Sequence, residues 1–272
     1  MNKKANEKTL SNMENKGEDN DLLILEQGDI YFFYRPKKNS YEPKGLDDIR
    51  RFFMVTAYNN KNNKDSLYRL FVIGKKSLPE IRHSEARLSE RYWARVGGIY
   101  KDKDDLTKEL FSDEFRKGDS ARPVGFGKYI IVKHKTHSEI AYILETPEEP
   151  GEAQKELGIE KEAIYIISVI NPNQPTLAGN PSSEESPKYP DNIVKELGNE
   201  NYVSLTKNTE LIDYLNAQII LIGAKEGKHI IKEELKIDIE DYASNKSQNI
   251  FKKLNLIKEN IPIKPLMKGK FE

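Results

Sequence analysis

Ten arginines and a few aromatic residues are the side chains here whose types and spacing suit chemistry. All ten arginines fall between Arg35 and Arg122, whereas lysine runs the length of the chain. Guanidinium is planar, stays charged, bonds carboxylate or phosphate through two parallel donors and stacks on aromatic rings, as ammonium cannot. Arg87, Arg91 and Arg95 recur every fourth residue, beside Leu88, Tyr92 and Val96 at the same spacing. On a helix this makes a cationic stripe next to an apolar one. Like charges four apart repel by a few tenths of a kcal/mol, roughly 0.2–0.5, unless an anion lies against them. Aromatics adjoin arginine at Tyr34-Arg35, Tyr68-Arg69 and Arg91-Tyr92-Trp93, the last with the chain's single Trp. Arg35, Arg69, Arg87, Arg91 and Arg95, with Tyr34 and Trp93 as stacking surfaces, are therefore the expected contacts of a phosphate-bearing ligand, nucleic acid or a nucleotide. The competing use of this charge is internal. Residues 28–134 hold 23 basic and 15 acidic side chains and residues 135–272 hold 17 and 23, so an acidic half could pack onto a basic one.

Other chemistries are thinner. The four histidines are His83, His134, His137 and His229. His134 and His137 fall at the ends of two expected hairpin strands, and His137 shares a strand face with Glu139 because side chains alternate. A metal site of His134, His137 and Glu139 is geometrically conceivable, and a metal-dependent hydrolase is the competing enzymatic reading. A third class is a protein–protein adaptor with an acidic partner. With no cysteine, disulfide scaffolds, thiolate zinc sites, iron–sulfur clusters and cysteine nucleophiles are excluded. No GxSxG elbow or GxGxxG loop occurs. Gly223-Ala224-Lys225-Glu226-Gly227-Lys228-His229 has one residue too few between its glycines for a phosphate cradle, and His where the metal-binding hydroxyl belongs. No cofactor is expected. Leu70–Gly74 and Gly125–Ile130 partly resemble the two strand signatures of the RNA recognition motif. Val124 stands where a basic residue belongs, however, and Lys128 displaces an aromatic. With 44 basic and 44 acidic residues, any electrostatic attraction must be local.

The elements that must position these groups read as strands near 29–35, 52–58, 68–74, 127–134, 139–145, 163–170 and 217–223, with a weaker one at 201–206. Each is a β-branched or aromatic run bounded by Gly, Pro or Asn. Several are continuously apolar, which suggests burial on both faces. Residues 127–134 and 139–145 should form a hairpin. The four-residue spacing after Ser84, ending at Gly97-Gly98, predicts a helix that carries the arginine stripe. Further helices are expected near 105–116, from about 148 to Gly158, and near 191–197, 209–216 and 245–255. The mixed order, without a regular βαβ period, predicts an α+β fold: a mixed, largely antiparallel sheet with interspersed helices. Residues 1–21 should be a disordered tail and 22–272 a single domain. Its loop at 171–190 holds five prolines, too many for a helix or interior strand. No apolar run approaches the ~20 residues of a membrane span, and no signal peptide is legible, so a cytoplasmic protein without membrane contact is expected.

Four segments also resemble an uncharacterised prokaryotic protein family: Gly28–Lys37, Ala121–Gly125, Glu145–Glu152 and Pro265–Gly269. The resemblance spans most of the chain after the tail. It implies one continuous unit and brings no activity, ligand or catalytic residue with it.

Overall fold

The computed structural model describes residues 23–38, 40–59, 66–81, 91–111, 120–134, 137–175, 185–206, 208–224, 254 and 261–272. The expected tail 1–21 and all but Leu254 of the helix near 245–255 lie outside them, as do 176–184 of the proline-rich loop. The described ends of that loop, 171–175 and 185–190, contain no helix or strand.

The fold is not α+β. Eight strands close into an antiparallel barrel: β1 (Leu23–Pro36), β2 (Ile49–Asn59), β3 (Ser66–Ile73), β4 (Tyr92–Tyr100), β5 (Arg122–His134), β6 (His137–Thr146), β7 (Glu162–Ile170) and β9 (Gln218–Gly223). The ring runs β6-β5-β1-β2-β3-β4-β9-β7 and shuts through β7–β6 pairing. The short β8 (Tyr202–Ser204) pairs with β7 directly beyond the point where β6 begins, Ser204 opposite Ser168 and Ser138 opposite Ile167. Closure removes the unpaired edges that an open sheet would expose. The helices are short and peripheral: α1 (Lys103–Phe111), α2 (Glu152–Glu156), α3 (Asp191–Leu197) and α4 (Lys264–Lys268). Expected helix 209–216 is one 3-10 turn, Thr209–Ile212.

The barrel wall is apolar on both sides. Ile30, Phe32 and Tyr34 of β1 point inward, where they meet Phe52, Phe71, Val96, Ile131, Tyr142, Tyr165 and Leu221 in one cluster fed by all eight strands. The alternate residues Tyr31 and Phe33 lie on the outside with Phe53, Val55 and Leu70, covered by Leu106 and Leu110 of α1 and Leu266 of α4. That double burial explains why β1 reads as a continuous apolar run. Register shifts at Ile24/Glu26 and Phe32/Phe33 in β1 and at Phe126/Gly127 in β5 supply the local bends that a closing sheet needs.

The largest single correction is β4. The residues expected to end a cationic helix form a strand instead. Ala94 and Val96 point into the barrel, while Trp93 and Arg95 pair outward against Ile220 and Gln218. Gly97-Gly98 is not a helix cap. A Cβ on Gly98 would come within 2.2 Å of the Tyr100 hydroxyl, so the ring lies over the glycine within the strand. Arg87 lies outside the described residues.

Candidate functional site

Two groups of polar side chains stand out, one inside the barrel and one outside. The inner group is built on Arg69, which shares the inward parity of Phe71 and Ile73 in β3 and is 0% exposed. Its Nη1 and Nη2 donate to the two oxygens of Glu26 at 2.5 and 2.9 Å, and its Nε donates to Asp213 from the turn before β9. Tyr129 donates its hydroxyl to Glu26, and the guanidinium lies 4.5 Å from the Tyr58 ring centre. Burial works against the charge on Arg69, yet the two carboxylates outweigh it and hold its pKa well above the usual value. Burial raises the Asp213 carboxyl more than Arg69 lowers it, and Glu26 adds to the rise. With two acids sharing one base, both partners shift upward. Tyr129 is likewise pushed far up by burial and by Glu26, so it stays a neutral donor.

The outer group lies along β4. Arg91, Trp93 and Arg95 occupy alternate positions on the outside of the wall, each partly exposed. The Arg91 guanidinium sits 5.2 Å from the Tyr202 ring centre and its Nη1 donates to the Tyr202 hydroxyl at 3.2 Å. Arg95 Nη1 donates to Asn216 Oδ1 at 2.9 Å. Among the described residues these partners are neutral. A Cβ on Gly74 would lie 2.3, 2.5 and 2.6 Å from three ring atoms of Trp93, so the indole rests face-on over that glycine. A side chain there would lift the ring off the wall.

No protein-family profile, curated protein or solved structure matches the chain.

The remaining expected contacts are scattered. Tyr34 is inside the barrel and fully buried, its hydroxyl exchanging 3.2 Å hydrogen bonds with the backbone of Glu272, its ring edge-on to Phe271. Burial lifts its pKa to about 12. Arg35 is buried under α1, where Nη2 donates to the Glu109 carbonyl at 2.8 Å and the guanidinium stacks on Phe53. The seven expected contacts thus do not form one surface; the structure gathers Arg91, Trp93 and Arg95. In the hairpin, His134 and His137 face each other across the ladder, and His137 Nε2 is 3.1 Å from Glu139 Oε1. The side chain of His134 and all of His83 and His229 lie outside the described residues. Among the described residues no group of three or more His, Asp or Glu could hold a metal. The two strands that partly resemble RNA-binding signatures, β3 and β5, are separated in the ring by β1 and β2.

Glu26, Asp213, Asn216 and Gly74 carry much of this arrangement and were not expected. Only Glu26 had a legible signal: it shares the parity of Ile30, Phe32 and Tyr34, a lone acid on an apolar strand face. Asp213 meets Arg69 across 144 positions of chain, beyond any local pattern.

Proposed function

We propose that the protein is a non-enzymatic binding module of the cytoplasm that receives a phosphate-bearing ligand, nucleic acid or a nucleotide, on the outer face of β4. The observation that carries this reading is the alternation Arg91, Trp93, Arg95. It sets two guanidiniums on either side of a flat-lying indole, with about 6.6–6.8 Å between successive outward positions. Their hydrogen-bond partners among the described residues are a phenol and an amide, neither of which carries a balancing charge. Arg69, by contrast, is wholly engaged by two carboxylates. Guanidinium suits phosphate oxygens and an exposed indole face suits a base.

A soluble location is supported by α1 and α4, whose Leu106, Leu110 and Leu266 cover the apolar outer face of the wall. A barrel in lipid turns that face to the acyl chains instead. Among the described residues no helix is long and apolar enough to cross a membrane, which bears on helices alone.

The test is binding of a labelled single-stranded oligothymidylate of about twelve nucleotides, compared with ATP and with inorganic phosphate, across a salt series. Two phosphate contacts predict a slope near −1.4 in log affinity per log salt, and Arg91→Ala or Arg95→Ala should each remove about 0.7 of it. Tighter binding of the oligomer than of ATP assigns a strand, and the reverse a nucleotide. Binding that ignores salt, or survives loss of both arginines, refutes the reading.

A further inference from the structure

Asp213 and Asn216 stand three residues apart in the turn that enters β9, and they serve opposite sides of the barrel wall. Asp213 accepts from Arg69 inside. Asn216 accepts from Arg95 outside at 2.9 Å. The turn between them is tight: Asp213 N donates to the Glu210 carbonyl at 2.8 Å and Ala217 N to the Tyr214 carbonyl at 3.0 Å. It is also docked on β4, with Asn216 N donating to the Val96 carbonyl at 2.9 Å and Val96 N to the Ala217 carbonyl at 2.8 Å. Asn216 has φ of 69°, the left-handed region that Asn tolerates better than most residues. Its amide nitrogen donates to Glu185 Oε2 at 3.0 Å, which turns the amide oxygen toward Arg95.

The anchor of this turn is rigid. Arg69 is gripped through both terminal nitrogens by Glu26 from the opposite side, so an atom tied to its Nε inherits a fixed place. We infer that Asp213 is a positioning residue for the outer face: by tying the turn to Arg69 it fixes Asn216, and Asn216 fixes where the Arg95 guanidinium is presented. This rests on the outer-face reading above. A free arginine side chain loses rotamer freedom when it binds, and holding it in place beforehand removes part of that cost.

The experiment compares Asp213→Ala, which leaves the Arg69 Nε without its acceptor, with Asp213→Asn, which keeps an oxygen there, and with Asn216→Gly. Glycine accepts the left-handed backbone, so Asn216→Gly deletes the grip on Arg95 and the bond to Glu185 while keeping the turn. Two readouts are taken on protein shown folded by circular dichroism: affinity for the oligothymidylate, and emission of Trp93 without ligand. Since one hydrogen bond is worth about 0.5–1.5 kcal/mol, Asp213→Ala and Asn216→Gly should each weaken binding roughly two- to tenfold, while Asp213→Asn stays within about twofold. Asp213→Ala should also shift Trp93 emission, which Asp213→Asn should not. If Asp213→Ala does not fold, Asn216→Gly decides. Wild-type affinity in Asn216→Gly, with Arg95→Ala weakened, overturns the inference and leaves the outer-face reading standing. If Arg95→Ala binds like wild type, the outer-face reading itself fails, and unchanged Trp93 emission in Asp213→Ala then overturns the positioning role independently.

Discussion

Replacing Arg69 by Met tests whether the buried charge cluster is held together by its single cation. Met approximates the volume of the aliphatic stem and removes the guanidinium, leaving Glu26, 2% exposed, and Asp213, 18% exposed, close together without a counter-ion. Removing one partner of a buried ion pair costs about 3–5 kcal/mol, because the other charge stays buried and unpaired. At roughly 2–4 °C per kcal/mol for a chain of this size, the melting temperature should fall by about 10 °C. The sign of the pH dependence follows from the acids. Burial already raises the Asp213 carboxyl, and without Arg69 to oppose it the folded-state value lies further above the unfolded one near 4. The penalty is then complete above the raised value and fades as pH drops toward the unfolded one. Thermal melts of Arg69→Met should therefore lie closest to wild type near pH 4 and furthest below it at pH 7. Asp213→Asn supplies the control. In the wild type burial already raises the Asp213 carboxyl, so charging it opposes folding above that value. Its amide should be neutral to slightly stabilising at pH 7 and should make no difference below the carboxylate range. An Arg69→Met protein as stable as wild type at pH 7, or one whose deficit grows on acidification, would refute this account of the cluster.

Two further outcomes follow from contacts described above. Gly74→Val should drive the Trp93 indole off the wall, since a Cβ there sits 2.3 Å from the ring. The expected cost is about 1–3 kcal/mol, with a red shift of tryptophan emission; unchanged emission would show that the ring does not lie on Gly74. Phe271→Ala should cost about 3 kcal/mol in urea unfolding, within the range for a buried Phe, because Phe271 is 8% exposed and packs edge-on against Tyr34. A loss under about 1 kcal/mol would mean that the carboxy-terminal segment does not close that end of the barrel.

Much of the wall was legible from residue types. Eight runs of β-branched and aromatic residues each fall on a strand, and the hairpin joining β5 to β6 forms as expected. β4 reads as a helix because two periodicities coincide in it. Leu88, Tyr92 and Val96 keep a four-residue spacing, while Arg91, Trp93 and Arg95 keep a spacing of two, and the second is the one the structure uses. Gly97-Gly98 tipped the balance toward a helix end, although strand glycines can be covered by aromatic neighbours. The first turns of β1 were missed because Glu26-Gln27-Gly28 is polar, and it is polar since Glu26 serves Arg69. The helices are shorter than their sequence signals imply: α2 spans five residues and the segment after Asn208 makes one 3-10 turn. Ring closure through β6 and β7 leaves no local trace, because a continuous apolar run is compatible with an open sheet as well as a barrel.

The ring can also be viewed as two consecutive meanders, β1 to β4 and β5 to β9, stitched along two joints of unequal length. Eleven residue pairs join β1 to β5, whereas four join β4 to β9. Strain or thermal breathing that parts the cylinder has far less to undo along the second joint, and the short turn from Asp213 to Ala217 is what clamps its end. Arg91, Trp93 and Arg95 line that same joint. Arg95 crosses it to reach Asn216, so whatever engages that guanidinium bears on the barrel's shortest seam, and occupancy and cohesion of the wall would vary together.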